Sequence, residues 1–373
     1  AVTAMEYRIM GRCVQKVLGP VLARIIGDTQ PGFVPGRRID DDLFAATEIA
    51  HRCERKNQKA VFICLDMSKG YDRVQVPFLE QIMSAHGFPE DMLSVTRMMH
   101  KDCGAHLKID GKHGESFPVT NGVRQGCVAA PSFFLLVQEV FLRMIRTDVG
   151  IKGVEIPDIG GEVGEDIRRA KELAYADDTG VWLPNDTDAL DRLFELMADF
   201  ERISGAEFNK KKTVGIRVAG CKHTTPNPKW DGVINWRKFG IDAVPKYLGI
   251  QMGTPDMIET QWKEKIDEIE ADCALAMAMG APTSWFGRAL WVKNVFTPKA
   301  WYTFRAQQPG EKAKETLLTR LQGVVDSAVF GPFKGLRRTV ATQAYRDGGL
   351  NHLDVRAHLA AEGAMMVKRM LES

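Results

Sequence analysis

The chain predicts an α+β fold on three observations. Ala60-Val61-Phe62-Ile63-Cys64-Leu65 is an unbroken apolar run, the pattern of a central strand buried on both faces. Leu173-Ala174-Tyr175-Ala176-Asp177-Asp178-Thr179-Gly180-Val181-Trp182-Leu183 reads as apolar strand, tight acidic turn, apolar strand. Around these lie amphipathic stretches at helical spacing, such as Leu190, Leu193, Leu196, Met197 and Phe200 on one face of 188–204.

Taken in order, residues 5–27 place Met10, Val14, Val17, Leu18, Val21, Leu22 and Ile25 at helical spacing, with a break or restart expected at Pro20. Gln30-Pro31-Gly32-Phe33-Val34-Pro35-Gly36-Arg37-Arg38 is a Pro/Gly-rich loop ending in two arginines. Asp40 to Asp42 open a helix that runs to about Asn57, the acids matching the positive end of the helix dipole. Two helices follow at 77–86 and 89–100, each opening on a proline. Residues 104–118 alternate around Asp110-Gly111 as a hairpin. A long amphipathic helix spans about 132–146, and 148–171 is Gly-rich, a hairpin and loop before the acidic strand. From about Thr254 the pattern turns helical: Ile258, Trp262, Ile266, Ile269 and Cys273 share a face, Gly280-Ala281-Pro282 interrupts, and 284–305 carries Trp285, Trp291, Trp301 and Tyr302, read as core aromatics. Lys334, Arg337 and Arg338 form a basic cluster after Gly331-Pro332.

Two adjacent carboxylates at a hairpin tip repel one another and lose solvation, which a metal cation over them relieves; a solvated turn carries aspartates too. Asp66 changes the balance, because it ends a strand whose apolar character implies burial, where an unpaired carboxylate is expensive. If that strand lies beside the hairpin, Asp66, Asp177 and Asp178 converge into a hard-oxygen site suited to Mg²⁺, the arrangement of two-metal phosphoryl transfer.

These residues carry a resemblance. Asp66-Met67-Ser68-Lys69-Gly70-Tyr71-Asp72-Arg73-Val74 is similar to the first palm motif of reverse transcriptases, and Tyr175-Ala176-Asp177-Asp178 to their second acidic motif. Asn121-Gly122-Val123-Arg124-Gln125-Gly126-Cys127 with Pro131-Ser132-Phe133-Phe134 resembles the nucleotide-site motif, and Phe208-Asn209-Lys210-Lys211-Lys212-Thr213-Val214 the Asn-x-x-Lys-Thr motif. In order, spacing and wording these most resemble LINE-type, non-LTR retrotransposon polymerases.

The resemblance implies a right-hand polymerase architecture: fingers at 1–59 and 77–126, N-terminally incomplete, a palm with an antiparallel sheet at 60–76 and 127–253, and a helical thumb at 254–373. It implies an RNA-directed DNA polymerase, a nucleotidyltransferase that joins a dNTP to a DNA primer on an RNA template. Asp66, Asp177 and Asp178, with the Met67 carbonyl, would hold two Mg²⁺, with Mn²⁺ as a substitute. Tyr71 would lie under the sugar of the incoming nucleotide, Gln125 and Gly126 beside the nucleotide, and Arg37, and less so Arg38, at its triphosphate. Lys212 would serve as general acid near the leaving pyrophosphate, and Tyr247, Leu248 and Gly249 would steady the primer end. The sequence departs from the family where Gly70 replaces the usual Ala, and where Val128-Ala129-Ala130 replaces Pro-Leu-Ser. The alternative is a decayed or recruited palm-fold module that binds nucleic acid without synthesis.

Bulk properties are permissive. The 373 residues, 45% hydrophobic and 26% charged, suit two or three compact units, and the net charge of +2 decides nothing about partners because an acidic metal site subtracts from any basic groove. Seven cysteines without a C-x-x-C pair indicate neither disulfide framework nor zinc site, and Cys221 with His223 has no partner pair nearby. With no signal peptide and no membrane-length apolar run, the expectation is an intracellular protein of nucleus or cytoplasm without membrane partners. The chain opens without Met and in mid-pattern, as a segment of something longer would; the endonuclease and Cys/His knuckle of many family members have no counterpart in it.

Overall fold

The apolar run is the middle of a five-stranded sheet, and the site depends on that placement. A computed structural model describes residues 4–156, 168–220, 233–240, 246–333 and 337–372. The chain divides into two units, Ala1–Ala243 and Val244–Ser373.

In the first unit the strands are β1 (Ala60–Leu65), β2 (Gly104–Ile109), β3 (Lys112–Pro118), β4 (Val154–Ile156), β5 (Arg168–Ala170), β6 (Glu172–Tyr175), β7 (Asp178–Pro184), β8 (Val214–Val218) and β9 (Asn235–Lys238). The helices are α1 (Met5–Ile25), α2 (Ile39–Arg55), α3 (Gly70–Arg73), α4 (Val76–Ala85), α5 (Glu90–His100), α6 (Ala130–Thr147) and α7 (Thr187–Ser204). The main sheet has the order β6-β7-β1-β8-β9. β1 pairs antiparallel with both β7 and β8, while β9 joins β8 in parallel.

Burial on both faces explains why β1 is apolar throughout. Val61, Ile63 and Leu65 join the core that α6 and α7 fill, whereas Phe62 turns to the other face and packs on Trp182 with ring centroids 4.6 Å apart. α6 is buried nearly all round, from Phe133 through Phe141 to Ile145, so it reads as a core helix rather than a surface one. Fully burying side chains of this size stabilises by about 1.5–3 kcal/mol each, which fixes the sheet and with it the strand ends.

Pro20 does not break α1, contrary to expectation; the helix runs through it. Val14, Leu18 and Leu22 lie on one buried stripe either side of the proline, and that packing offsets the lost hydrogen bond, an interior-proline penalty of about 3 kcal/mol. The acids opening α2 do cap: Asp41 accepts from the Arg38 amide at 3.2 Å. The β2–β3 hairpin forms about Asp110 and Gly111, both at positive φ, but its apolar residues Leu107, Ile109 and Phe117 are exposed. Of the stretch 148–171, β4 and β5 pair as expected, and 157–167 lie outside the described residues, as do Cys221, His223 and Lys334.

The second unit opens with a two-stranded hairpin, β10 (Lys246–Tyr247) and β11 (Ile250–Gln251). The helices that follow are α8 (Pro255–Ala278), α9 (Trp285–Trp291), a π-helical turn at Val292–Phe296, α10 (Pro298–Ala306), α11 (Glu311–Phe330), α12 (Arg338–Ala341) and α13 (Val355–Glu372). Trp262 stacks on Phe304 at 3.7 Å and donates its Nε1 to the Gln307 carbonyl, and Trp301 is buried with them, as read for core aromatics. Trp285 and Trp291 are only partly buried against the same cluster. Among the described residues no helix is long and apolar enough to cross a membrane.

Candidate active site

Three carboxylates meet at one end of the central sheet. Tyr175 pairs with Asp178 to close the β6–β7 hairpin around Ala176 and Asp177. The register of β1 with β7 ends at Leu65 opposite Thr179, so the next residue, Asp66, falls opposite Asp178. Burial of its carboxyl, then the charges of Asp177 and Asp66, raise the Asp178 pKa above the usual carboxylate range, although the residue keeps an open side toward solvent. Crowded like charges of this kind welcome a dication. Among the described residues no three His, Cys, Asp or Glu side chains are grouped closely enough to hold a metal ion.

The hairpin tip is held from an unexpected quarter. Ala176 has φ +54°, a left-handed conformation that costs a non-glycine residue about 1–2 kcal/mol. Gln30, fully buried, accepts from the Ala176 amide at 2.9 Å and donates to the Ala176 carbonyl at 3.1 Å, while also accepting from the Gly32 amide. A Cβ on Gly32 would lie 2.6 Å from the Ala176 nitrogen, so only glycine lets the loop come this close. The same segment is tied further back: the Ala174 amide donates to the Thr29 carbonyl, and Arg146 bridges Glu139, Glu172 and Thr29. Beside it Gln138 donates to Thr179 at 2.8 Å inside the core. Sequence reasoning missed Gln30 and this network. A Gln-Glu pair within the apolar run of α6 was the available signal for Gln138 and Glu139; nothing local marked Gln30.

The Arg37 guanidinium donates to the carbonyls of Gly27, Gln30 and Ile26 at 2.5, 3.1 and 3.0 Å, where α1 ends and leaves carbonyls unpaired. It fastens the loop. Arg38 pairs with Asp40 at 2.7 Å and stays part-exposed.

Tyr71 stacks on Phe134 with centroids 4.7 Å apart and rings 13° from parallel. Burial, then the nearby Asp177 and Tyr175, push its hydroxyl up to about 12. The Gly70 departure has a local reason: a Cβ there would sit 2.9 Å from the Phe134 ring. The segment Asn121–Gly126 is hung on this helix, with the Val123 amide donating to the Tyr71 carbonyl and Gln125 Nε2 to Asp72 at 3.3 Å. Gly126 takes φ +96°, which favours glycine.

The lysine loop reaches the first acid directly. The Asn209 amide donates to the Asp66 carbonyl, and Met67, buried, bridges to Phe208. Lys212 follows in a 3-10 turn with its Nζ 3.6 Å from Asp66 Oδ2. Tyr247, Leu248 and Gly249 belong to the second unit, where the Tyr302 hydroxyl donates to the Leu248 carbonyl at the hairpin turn.

An acidic hairpin against an apolar strand, flanked by a stacked tyrosine and a lysine loop, is the palm of a right-hand polymerase. Residues 1–252 match the family model described as reverse transcriptase (RNA-dependent DNA polymerase), and the chain belongs to that family. The relatives it resembles are proteins of non-LTR retrotransposons. The chain is 25% identical over 321 residues to the Transposon TX1 uncharacterized 149 kDa protein of Xenopus laevis, covering 85% of this chain and 23% of that one. It is 29% identical over 191 residues to the Retrovirus-related Pol polyprotein from type-2 retrotransposable element R2DM of Drosophila melanogaster, covering 50% and 17%. Thus the chain spans about a fifth of the length of these curated relatives. Among solved structures, a telomerase of Candida albicans in complex with a fragment of telomeric RNA aligns with a TM-score of 0.48 at 10% identity, over 92% of this chain and 57% of that one.

Proposed function

We propose that this chain synthesises DNA on an RNA template, joining the primer 3′-hydroxyl to the α-phosphate of a dNTP. The observation that carries the reading is the register that sets Asp66 opposite Asp178 with Asp177 beside them. The donor set fits a hard dication: carboxylates crowded enough to raise a pKa and open on one side. Two Mg²⁺, or Mn²⁺ in their place, held by Asp66 and Asp177 with the Met67 carbonyl, would clamp the attacking and leaving oxygens. Asp178 supports the pair electrostatically. Tyr71 presents its ring beneath the sugar, and its bulk bars a 2′-hydroxyl. Gln125 and the close backbone at Gly126 border the nucleotide. Lys212 supplies a proton toward the leaving pyrophosphate. Arg37, and less so Arg38, serve the triphosphate, with Arg37 also fastening the loop that presents it.

In this reading residues 60–76 and 127–253 work as palm, 1–59 and 77–126 as fingers, and 254–373 as helical thumb, with Tyr247, Leu248 and Gly249 steadying the primer. Template and primer would be gripped through phosphate and sugar, since any sequence must be accepted, so binding weakens with salt.

The test is primer extension by the purified chain on RNA and DNA templates side by side. Asp177→Ala retaining substantial synthesis on RNA would end the proposal. One observation favours a second reading, a palm that binds nucleic acid without synthesis: among the described residues no three His, Cys, Asp or Glu are grouped closely enough to hold a metal ion. Thermal stabilisation by dNTP that requires both Mg²⁺ and primer–template separates the two, because a scaffold gains little from the nucleotide.

A further inference from the structure

We propose that Gln30 is a positioning residue for synthesis: its buried amide holds the left-handed turn at Ala176 and thereby aims Asp177 and Asp178. This rests on the polymerase reading above and adds a residue to it.

Gln30 is fully buried and Ala176 is 6% exposed, so neither side has water to fall back on. The amide is used at both ends. Its oxygen accepts from the amides of Ala176 and Gly32, each at 2.9 Å, and its nitrogen donates to the Ala176 carbonyl at 3.1 Å. Both backbone groups of the strained residue are thus met by one side chain from 146 positions earlier. Leaving either group unpaired in this setting costs the full desolvation of a buried backbone group, comparable to the strain of the left-handed turn itself. Without Gln30 the turn has reason to relax, and Ala176 is the residue directly before the two acids. A rotation there swings both carboxylates relative to Asp66 on the neighbouring strand.

The chemistry of position 30 is narrow. Ionised Glu accepts but cannot donate to the Ala176 carbonyl, Met does neither, and Asn is one methylene too short. The loop that presents Gln30 is itself pinned, by Arg37 on the carbonyls of Gly27 and Gln30 and by Gly32 packed backbone to backbone on the turn. Gln30 therefore has a fixed base from which to hold the tip.

The experiment compares Gln30→Met and Gln30→Glu with the wild-type chain in primer extension and in hydrogen exchange. Gln30→Met should lower kcat by about 10–100-fold, the scale expected for misplaced catalytic groups, with the KM for dNTP changed by less than about threefold. The Mg²⁺ concentration for half-maximal rate should rise, and the Ala176 amide should exchange faster. In Gln30→Glu, a protonated acid restores the donor, so kcat relative to wild type should climb as pH falls from 8.5 to 6.5. Wild-type kcat in Gln30→Met overturns the proposal. So does a loss that only follows the folded fraction, with Mg²⁺ dependence and Ala176 exchange unmoved. Should Gln30→Met not fold, the pH profile of Gln30→Glu decides. A wild-type chain with no synthesis fails the polymerase reading instead, and the exchange rate of the Ala176 amide still decides whether Gln30 holds the turn.

Discussion

Lys212 Nζ stands 3.6 Å from Asp66 Oδ2, on a loop whose backbone also bonds to the strand end that carries Asp66. Lys212 is 68% exposed, so the pair contributes little to stability, at most about 1 kcal/mol and screened by salt. On the proposed polymerase reading its value lies in chemistry. Lys212→Ala is expected to leave the melting temperature nearly unchanged while lowering the single-turnover rate by about 10²-fold or more, the contribution of a general acid. Lys212→Arg should lose less binding of the nucleotide but regain little rate, since Arg holds its proton too tightly to donate it.

The crowding around Asp178 gives a signed prediction for the metal-free protein. Its carboxyl pKa is raised in the folded state, by burial first and by Asp177 and Asp66 next. The folded state then holds a proton that the unfolded state has released, so stability falls as pH rises from the unfolded value through the raised one. Asp178→Asn should raise the melting temperature in EDTA at neutral pH, an advantage that vanishes in acid, and should abolish or cripple synthesis. Thermal melts with and without Mg²⁺ check this: added Mg²⁺ should stabilise the wild type more than the variant.

Asp42 makes the same argument outside the site. It is 3% exposed, its Oδ2 has no hydrogen-bond partner, and burial, then Asp41, push its pKa up to about 9 against the pull of Arg37. Asp42 should therefore make wild-type stability decline with pH across the range from about 4, the ordinary Asp value, to that point, and Asp42→Asn should remove this part of the decline. The measurement is the difference in melting temperature between variant and wild type, expected to grow from pH 5 to pH 8.5.

Gly70 and Phe134 share one volume. Restoring the Ala usual to the family at position 70 puts a Cβ 2.9 Å from the Phe134 ring. Gly70→Ala alone should destabilise by about 1–3 kcal/mol and disturb the Tyr71 stack, raising incorporation of ribonucleotides over deoxyribonucleotides. Phe134→Leu in the same chain should recover part of the stability. A double-mutant cycle on melting temperature and on the rNTP/dNTP ratio reads both effects.

Much of this was legible because it is written in neighbouring residues. The run 60–65, the hairpin about Asp177 and the stripes of α6 and α7 are local patterns, and each became the element expected. Pro20 misled because a local rule was outvoted by Leu18 and Leu22 packing either side of it. The partners of Arg37 were hidden for a related reason: the helix-end carbonyls it meets leave no trace in residue identity. Gln30 was invisible as a site residue because its partners are backbone groups of Ala176, and any residue there has an amide and a carbonyl. The order of acids could be read; what holds them still could not.

The placement of β1 bears on how the protein is made. Both of its neighbours, β7 and β8, come from more than a hundred residues downstream, and nothing adjacent in the chain pairs with it. On the ribosome, at about 5–20 residues per second, this apolar ribbon waits with both edges bare until residues 178–218 have been added. A truncated product ending short of β8 would keep one bare edge indefinitely, and an edge so apolar invites self-association. Translation of this chain should accordingly lean on chaperones in a way that a hairpin-built sheet of equal size would not.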